Sequence, residues 1–322
     1  MSQSPLLSIA IPVHNGEKSI GLTLGAIYDL RSELSDCEVV ISDNCSSDKT
    51  AEIVAYYQSA LPNVIKHFRN PINLGYDKNI DILVQRSSGK YVWFMGSGER
   101  IAPHALPTIY KQLAGDDYDT IVVNFDIYNE AERAVELRPS YGIKSNLVTI
   151  NKDDFSFPRY APAVSANIVN RKRWLNVIGN PLRESGWCHI ERILDIIGGL
   201  EFKKSLFISN KCFTLYRDSD GWWTKDNSYE YLLRHISIIR SMDSRGFALE
   251  LVSKLDHKLS RYALLLAVLQ AKSNGLRLSA GVFYKFKKMF GSKAFFWFLI
   301  LPAMAAPQCV TRGILNFKKW ID

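Results

Sequence analysis

Cysteine is scarce in this 322-residue sequence, and the five cysteines that it has are scattered. Their number is odd, and no two are spaced as C-x-x-C, a common arrangement in zinc and redox sites. The sequence therefore argues against a structural zinc site and a disulfide framework, and it fits a reducing cytoplasm. The apolar run at residues 6–13 is short and has no basic stretch before it, so we expect no signal peptide.

Two nucleotide-binding signatures are also missing. No strand candidate is followed by G-x-G-x-x-G or by G-x-x-x-x-G-K-[ST], which argues against Rossmann oxidoreductases and P-loop enzymes. Acidic residues are in the minority, with 32 Asp and Glu against 40 Lys and Arg and a formal net charge of +8. Such an excess indicates an anionic partner: nucleic acid, an acidic membrane surface or a phosphorylated ligand. No recognised nucleic-acid-binding module is present, so we expect no nucleic-acid partner.

Strand and helix patterns alternate along the first part of the chain. The strand candidates are residues 8–13, 38–42, 64–68, 91–95 and 120–125. Repeated β-α units predict an α/β domain, with a mostly parallel sheet that helices cover on both faces. Ligands of such sheets bind beyond the carboxyl ends of the strands. The pattern loosens from 151 to 223 and is helical beyond it, so we predict a domain at 1–225 and a helical C-terminal region at 226–322.

Small polar and acidic residues stand at the ends of these strand candidates. The segments that carry them are Leu7–Asn15, Val40–Thr50, Asn73–Tyr76 and Gly89–Gly96. Their order and spacing resemble the family 2 glycosyltransferases of the GT-A fold, which are Rossmann-like, across the first third of the chain. Within that family, the loops look most like the branch that adds deoxy sugars, such as abequose, to bacterial O-antigens.

The resemblance implies a pocket for a nucleotide-sugar donor at the strand ends. Asp43 would accept a hydrogen bond from the base, since a carboxylate offers only acceptors. Gly75 would let the backbone approach the ribose and diphosphate closely. Arg69 and Lys78 would offset phosphate charge or lie in solvent. The implied donor-binding residues are Pro12, His14, Asn15, Glu17, Asp43, Asn73, Gly75, Asp77, Ser97 and Glu99.

The loop after the fourth strand departs from the family pattern. Family members usually carry two or three aspartates there, the D-x-D element, which hold Mg²⁺ or Mn²⁺ against the diphosphate, whereas this chain has Ser97, Gly98 and Glu99. Hard cations prefer oxygen ligands, so a metal site on Glu99 is weakened. Three alternatives stay open: Glu99 suffices as a metal ligand, a basic residue such as Arg100 or Arg217 replaces the cation, or activity is lost.

An inverting transferase also needs a base for the acceptor hydroxyl. The family places an acidic pair at the start of a helix that precedes a glycine, and the segment 190–197 before Gly198 fits that place. The acidic pair is missing. His189 is the first candidate base, because imidazoles titrate near neutral pH, and Glu184 and Glu191 are its rivals.

Acceptor contacts are expected just before that helix. The stretch that contains Ser165 and Asn167 resembles a family segment near the acceptor sugar. The tryptophans Trp187, Trp222 and Trp223 are candidates for stacking on sugar faces, with core packing as the alternative.

A segment without charged residues, 294–311, lies in the C-terminal region. It barely reaches the length of a spanning helix, and Pro302 and Pro307 interrupt it. The basic residues around it are Lys285, Lys287, Lys288, Lys293, Arg312, Lys318 and Lys319. A basic-flanked aromatic segment fits an element in the interface of an anionic membrane, with packing on the core or on another subunit as the alternative.

Together these features predict an inverting glycosyltransferase that moves a sugar from a nucleotide-sugar donor to a lipid-linked oligosaccharide acceptor. We expect it to be peripheral at the cytoplasmic face of a bacterial inner membrane, in O-antigen or surface polysaccharide synthesis. An oligomer is compatible with the sequence. The alternative is a non-catalytic GT-A-like protein of the same assembly pathway that binds nucleotide sugar or glycan.

Overall fold

The computed structural model separates into two compact units, Met1–Arg217 and Asp218–Asp322. The structure describes residues 4–129, 134–136, 147–150, 163–182, 185–217, 228–258, 260, 264–273, 275 and 279–321. The boundary that we placed at residue 225 from the sequence lies outside these residues.

One mixed sheet forms the frame of the first unit. Its strand order is β3-β2-β1-β4-β9-β6-β10-β5, with β7 paired to β6 and β8 paired to β10. The strands are β1 (Leu7–Val13), β2 (Cys37–Asp43), β3 (Ile65–Arg69), β4 (Tyr91–Phe94), β5 (Arg100–Ile101), β6 (Thr120–Asn129), β7 (Ala134–Glu136), β8 (Leu147–Ile150), β9 (Asn167–Asn170) and β10 (Ser205–Arg217).

Helices connect these strands. They are α1 (Ile20–Asp29), α2 (Thr50–Ala60), α3 (Tyr76–Arg86), α4 (Ala105–Gly115), α5 (Arg171–Val177) and α6 (Cys188–Gly198), with short 3₁₀ turns at Arg31–Glu33 and Val164–Ala166. The β-α alternation predicted from the sequence is confirmed. The region from 151 to 223, predicted to be loose, contains β9, α5, α6 and β10.

The parallel part of the sheet is β3-β2-β1-β4. There β1 pairs in parallel with β2 and β4, and β2 pairs in parallel with β3. All residues of β2 and β4 are buried, as expected of parallel strands covered on both faces. Beyond β4 the sheet is mixed, because β9 lies between β4 and β6 and runs antiparallel to both.

The amino-terminal edge of the sheet is fixed by the buried side chain of Glu38. Its carboxylate accepts hydrogen bonds from the Ser8 hydroxyl at 2.5 Å and the Ser88 amide at 2.5 Å, and it pairs with Lys66 at 2.6 Å. Burial alone would raise the pKa of Glu38, but Lys66 and the hydrogen bonds lower it. A β-carbon at Gly89 would lie 2.6 Å from the Ser8 oxygen, so only glycine fits this turn. These contacts align the starts of β1, β2 and β4.

Helix α6 is anchored by the buried guanidinium of Arg192. Its Nη2 lies 2.8 Å from Asp81 Oδ2 on α3, and its Nε lies 3.2 Å from Asp81 Oδ1. It also donates to the carbonyls of Val177, Ile178 and Asn180, each at 2.8 Å. One side chain therefore satisfies the carbonyl end of α5 and joins α3 to α6.

The second unit is helical. Its elements are α7 (Ser228–Arg240), a 3₁₀ turn (Asp243–Arg245), α8 (Leu249–Lys258), α9 (Leu264–Ser273), α10 (Ala280–Phe290), a π-helical turn (Phe296–Ile300), α11 (Leu301–Ala305) and α12 (Gln308–Ile321). Its core includes Leu264, Val268, Phe286, Phe290 and Phe296. Within the described residues, no single helix is long and apolar enough to cross a membrane. The pair Phe296–Ala305 and Gln308–Leu315 meets that criterion only jointly and is bent by 111°.

Candidate active site

The loops after β1 and β2 are hydrogen-bonded to each other at the carboxyl edge of the sheet. The Asn15 amide donates to the Ser46 hydroxyl at 2.9 Å, and Asn15 Oδ1 accepts from the Ser47 amide at 2.9 Å. Asn15 has a φ of 51°, a left-handed conformation that asparagine tolerates better than most residues. Glu17 Oε2 accepts from the Lys49 amide at 3.3 Å. Asn15 and Glu17, predicted to be pocket residues, thus hold the pocket wall together.

A chain of asparagines forms the floor of this edge. Asn44 Oδ1 accepts from Asn70 Nδ2 at 3.1 Å, and Asn44 Nδ2 donates to Asn73 Oδ1 at 2.8 Å. Asn73 Nδ2 lies 3.1 Å from His14 Nε2, so the buried amides lead to the exposed rim residues His14 and Asn73. Asn79 accepts from Asn70 at 2.9 Å. Sequence reasoning did not select Asn44, Asn70 and Asn79, although Asn44 and Asn70 each directly follow a strand.

Asp43 is fully buried at the end of β2. Its Oδ1 accepts from the Ser46 amide at 2.7 Å. Its Oδ2 has no hydrogen-bond partner among the described residues and lies 3.6 Å from Arg69 Nε and 3.9 Å from His67 Nε2. The half-exposed Arg69 side chain also donates from Nη2 to the Ser46 carbonyl at 2.7 Å. Asp43 Oδ2 is therefore a buried acceptor beside a half-exposed cation.

The remaining donor candidates lie around this floor. Pro12 is half-buried opposite Ser42 in the β1–β2 register. Gly75 precedes α3 with a φ of 79°, a conformation that favours glycine. Its carbonyl accepts from Asn44 Nδ2 at 3.2 Å, and Lys78 is exposed on the same helix.

Asp77, one of the expected donor-binding residues, is bonded to the start of α6 in this structure. It is 7% exposed, its Oδ2 accepts from the Gly186 amide at 2.9 Å, and its Oδ1 accepts from the Cys188 amide at 3.1 Å. The first amides of a helix lack partners within the helix, so a carboxylate is a strong acceptor for them. Both oxygens of Asp77 are therefore used at the start of α6.

The loop after β4 is closed on itself by Glu99. Glu99 Oε2 accepts from the Gly96 amide at 3.1 Å, and its carboxylate also bonds to the Ser165 hydroxyl. The Gly96 amide in addition donates to Ser165 Oγ at 2.8 Å. Burial raises the pKa of the Glu99 carboxyl to about 7 in spite of these bonds. Ser97 is half-buried in the same turn.

This loop does not fit a divalent-cation site of the D-x-D type. Its one carboxylate is folded onto Gly96 and Ser165, and a carboxyl with a pKa near 7 must lose a proton before it binds a metal. The part of the chain that the structure describes contains no group of three His, Cys, Asp or Glu residues that could hold a metal ion. The expected role of Glu99 as a metal ligand stays a prediction, and it requires the carboxylate to release Gly96 and Ser165.

Ser165 and Asn167, the expected acceptor-binding residues, are both buried, and their contact with an acceptor stays a prediction. Ser165 is 0% exposed, its carbonyl accepts from Trp93 Nε1 at 2.8 Å, and its hydroxyl closes the Glu99 loop. Asn167 Nδ2 donates to the Ala163 carbonyl at 2.7 Å. The stretch that contains Ser165 and Asn167 therefore packs against the loop after β4 and helps to hold it in place.

The start of α6 carries an aromatic cluster. The His189 ring is 3% exposed and lies 6.1 Å from the stacked Trp187 ring and 6.4 Å from the Tyr76 ring, which meets it edge-on. Glu191, a rival candidate base, is fully buried and accepts from the Ser185 hydroxyl at 2.7 Å. Glu184, Trp222, Trp223 and the side chain of Arg217 lie outside the described residues. Tyr76, which is partly exposed at the start of α3, was not among the predicted site residues.

Arg100, one of the residues considered as a substitute for the metal, follows the Glu99 loop on β5. Its guanidinium carbon lies 5.2 Å from the centre of the Tyr216 ring, and the Tyr216 ring lies 5.2 Å from that of Tyr128. The cation is thus held against aromatic rings by a cation–π contact.

Similar proteins agree with this architecture. The Salmonella typhimurium abequosyltransferase RfbV is 32% identical over 108 residues, 34% of this chain and 32% of that protein. The Campylobacter jejuni GalNAc(5)-diNAcBac-PP-undecaprenol beta-1,3-glucosyltransferase is 23% identical over 250 residues, 74% of this chain and 75% of that protein. The matched part of the first relative is therefore about a third of its length.

Solved structures and a family model complete the comparison. The crystal structure of S. aureus TarS in complex with UDP-GlcNAc aligns with a TM-score of 0.59 at 15% identity, over 90% of this chain and 74% of that chain. This supports the GT-A fold with C-terminal helices. The model of glycosyl transferase family 2 matches residues 8–179, more than half of the chain. The resemblance read from the strand-end motifs is confirmed, and the chain belongs to glycosyl transferase family 2.

Proposed function

We propose that the first unit is an inverting transferase that moves a hexose or deoxyhexose from a nucleotide-sugar donor to a lipid-linked glycan. The observation that carries the proposal is the meeting of two groups of residues at one sheet edge. The asparagine floor with Asp43 lies beneath His14 and Asn73, and the His189 cluster adjoins it through Tyr76. The names of the Salmonella and Campylobacter relatives support the class of donor and acceptor. The setting is bacterial O-antigen or surface polysaccharide synthesis.

The chemistry is one displacement at the anomeric carbon. The acceptor hydroxyl oxygen forms the new bond while the bond to the nucleoside diphosphate breaks, which inverts the configuration. His189 takes the proton of the hydroxyl. Asp43 Oδ2 accepts a hydrogen bond from the nucleobase of the donor, and the start of helix α3 beside Gly75 presents partial positive charge to the diphosphate.

A divalent metal, when bound, would neutralise charge on the leaving diphosphate. Because the described loop supplies one internally bonded carboxylate, we expect a weaker dependence on Mg²⁺ or Mn²⁺ than a D-x-D loop confers. In this proposal, Arg69 and Arg100 supply the positive charge that compensates for the missing metal ligands.

The test is an assay with uridine, thymidine, cytidine and guanosine diphosphate sugars and a polyprenyl-linked acceptor. At least one donor is expected to bind and to give product with inverted configuration, and EDTA is expected to reduce turnover by less than about tenfold. A complete loss of turnover with EDTA, restored by Mn²⁺, would contradict the metal expectation. Absence of binding, transfer and hydrolysis with every donor would reject the enzyme.

A second candidate is a non-catalytic nucleotide-sugar or glycan-binding protein of the same pathway. It is favoured by the folded-in Glu99 carboxylate, which leaves the loop after β4 without a free acidic ligand. Calorimetry with donor followed by the acceptor assay separates the two candidates. Binding without product supports this second function.

We also propose that the second unit places the protein on the cytoplasmic face of the inner membrane. The segment 294–311 has two sides: Phe296, Ile300 and Met304 are buried in the helical core, whereas Trp297, Phe298 and Leu299 are 42%, 77% and 51% exposed. The exposed lysines close to it are Lys285, Lys287, Lys288 and Lys293. Exposed aromatic residues beside lysines are complementary to an anionic lipid surface.

Exchange of both Trp297 and Phe298 for serine is expected to weaken sedimentation with vesicles by about tenfold or more, since each buried aromatic contributes roughly 1.5–3 kcal/mol. The vesicles contain phosphatidylcholine with a third of anionic phosphatidylglycerol, and pure phosphatidylcholine vesicles report the charge contribution. Leu200→Ser, at a fully exposed leucine of the first unit, is the matched control and should bind like the wild type. Equal sedimentation of the double variant and the wild type would overturn the proposed contact.

A further inference from the structure

We infer that Asp77 is a positioning residue that fixes the base-bearing segment 186–189 against the donor side of the site. This inference deepens the proposed function and rests on it. Asp77 lies in the first turn of α3, two residues after Gly75, and its carboxylate reaches the start of α6, more than a hundred residues further along the chain. The donor loop and the segment with His189 are therefore joined by one side chain.

The contact replaces a local helix cap. The amides of Gly186 and Cys188 donate to the two oxygens of Asp77 at 2.9 and 3.1 Å, and the Trp187 amide donates to the Ser185 hydroxyl at 3.0 Å. Gly186 has a φ of 73°, so the backbone turns there into a conformation that side chains with a β-carbon disfavour. Three successive amides are thus satisfied by side chains, two of them by a residue of another helix.

The segment 186–189, which Asp77 holds, contains the proposed base His189. His189 directly follows Cys188, and its ring lies near those of Trp187 and of Tyr76, the neighbour of Asp77. A shift of the Gly186–Cys188 backbone would move the His189 ring relative to the donor loop. Displacements of about 1 Å from productive geometry can cost roughly a hundredfold in rate.

A second α3–α6 contact, one turn further on, supplies a control. Asp81, four residues after Asp77, pairs with Arg192, four residues after Cys188. The two contacts join the same helices, but of these two carboxylates only Asp77 bonds to the amides of segment 186–188. Loss of the Asp81 pair weakens the helix packing and leaves those amide bonds in place.

The experiment compares Asp77→Asn with Asp81→Asn. Asparagine has one acceptor oxygen, and its NH₂ group would face the second amide, so one of the two bonds is lost. Asp77→Asn is expected to lower kcat about tenfold to a hundredfold with less than about a threefold change in donor KM. Hydrogen exchange of the Gly186 and Cys188 amides should accelerate in this variant and not in Asp81→Asn. Gly186→Ala changes the backbone partner of Asp77 in place of Asp77 itself, and it should reproduce the selective loss of kcat.

The outcomes separate this inference from the proposed function. An inactive wild type with every donor rejects the function, while the exchange rates still report whether Asp77 holds the segment. With an active wild type, an unchanged kcat in Asp77→Asn overturns the inference. If donor KM in Asp77→Asn rose by as large a factor as kcat fell, Asp77 would be a donor contact and not a positioning residue. If kcat fell as much in Asp81→Asn as in Asp77→Asn, Asp77 would contribute only to the packing of α3 on α6.

Discussion

Replacing His189 by glutamine is expected to lower the rate of sugar transfer by about a hundredfold or more, the contribution typical of a general base. Glutamine is close in size to histidine but does not accept a proton near neutral pH. Donor affinity is expected to stay within about threefold, because the proposed donor contacts are Asp43, His14 and Asn73 and not His189. Single-turnover transfer and calorimetry with donor measure the two quantities separately.

The matched control is His257→Gln, at an exposed histidine of the second unit, which should transfer sugar at the wild-type rate. Near-normal transfer by His189→Gln would remove His189 from the mechanism. Because Glu191 is buried against Ser185, the search for the base would then turn to Glu184.

Replacing Arg192 by methionine is expected to lower the free energy of unfolding by roughly 3–5 kcal/mol, the typical cost of breaking a buried ion pair. Methionine keeps the aliphatic packing but leaves Asp81 as an unpaired carboxylate that is mostly buried. It also removes the guanidinium hydrogen bonds to the carbonyls of Val177, Ile178 and Asn180, of which Val177 keeps the bond from the Asn180 amide. Urea unfolding followed by tryptophan fluorescence measures the loss.

Lys90→Met provides the comparison, because Lys90 and Asp117 form a pair at 2.9 Å in which both side chains are about half exposed. Exposed pairs typically contribute less than about 1 kcal/mol. If the two variants lost similar stability, the buried guanidinium would not be the anchor of α6.

Local sequence patterns were sufficient to predict the strands and helices of the parallel half of the sheet. The apolar runs of β1 to β4 and the helical spacing between them are short-range features, and each was found within a few residues of its predicted position. The place of β9 between β4 and β6 was not predictable in this way. The position of β9 depends on pairing between strands that are far apart in sequence, and the hydrophobic pattern of β9 does not indicate which strands it pairs with.

The site shows the same division between local and long-range information. The strand-end motifs predicted that His14, Asp43 and Asn73 lie at the same edge of the sheet, because the carboxyl ends of parallel strands meet there. The partners of Asp77 and Glu99 could not be read from the sequence. Each carboxylate is bonded to groups brought near by the fold, Asp77 to the start of α6 and Glu99 to Ser165. A carboxylate at a motif position indicates a polar partner, and the fold decides whether that partner is a substrate or a backbone amide.

The pairing of β6 with β10 has a consequence for biosynthesis. These strands pair from Ser205 to Arg217, but β10 follows the end of β6 by about 75 residues, and β9 also comes later in the chain. At typical ribosomal rates, β6 waits on the order of ten seconds for its neighbours. During that interval one edge of this largely apolar strand is open along its length, and β7 covers the other edge at residues 127–129; open edges are the condition under which strands pair wrongly. Slower translation of the segment between them should therefore lower the yield of folded protein by prolonging that exposure.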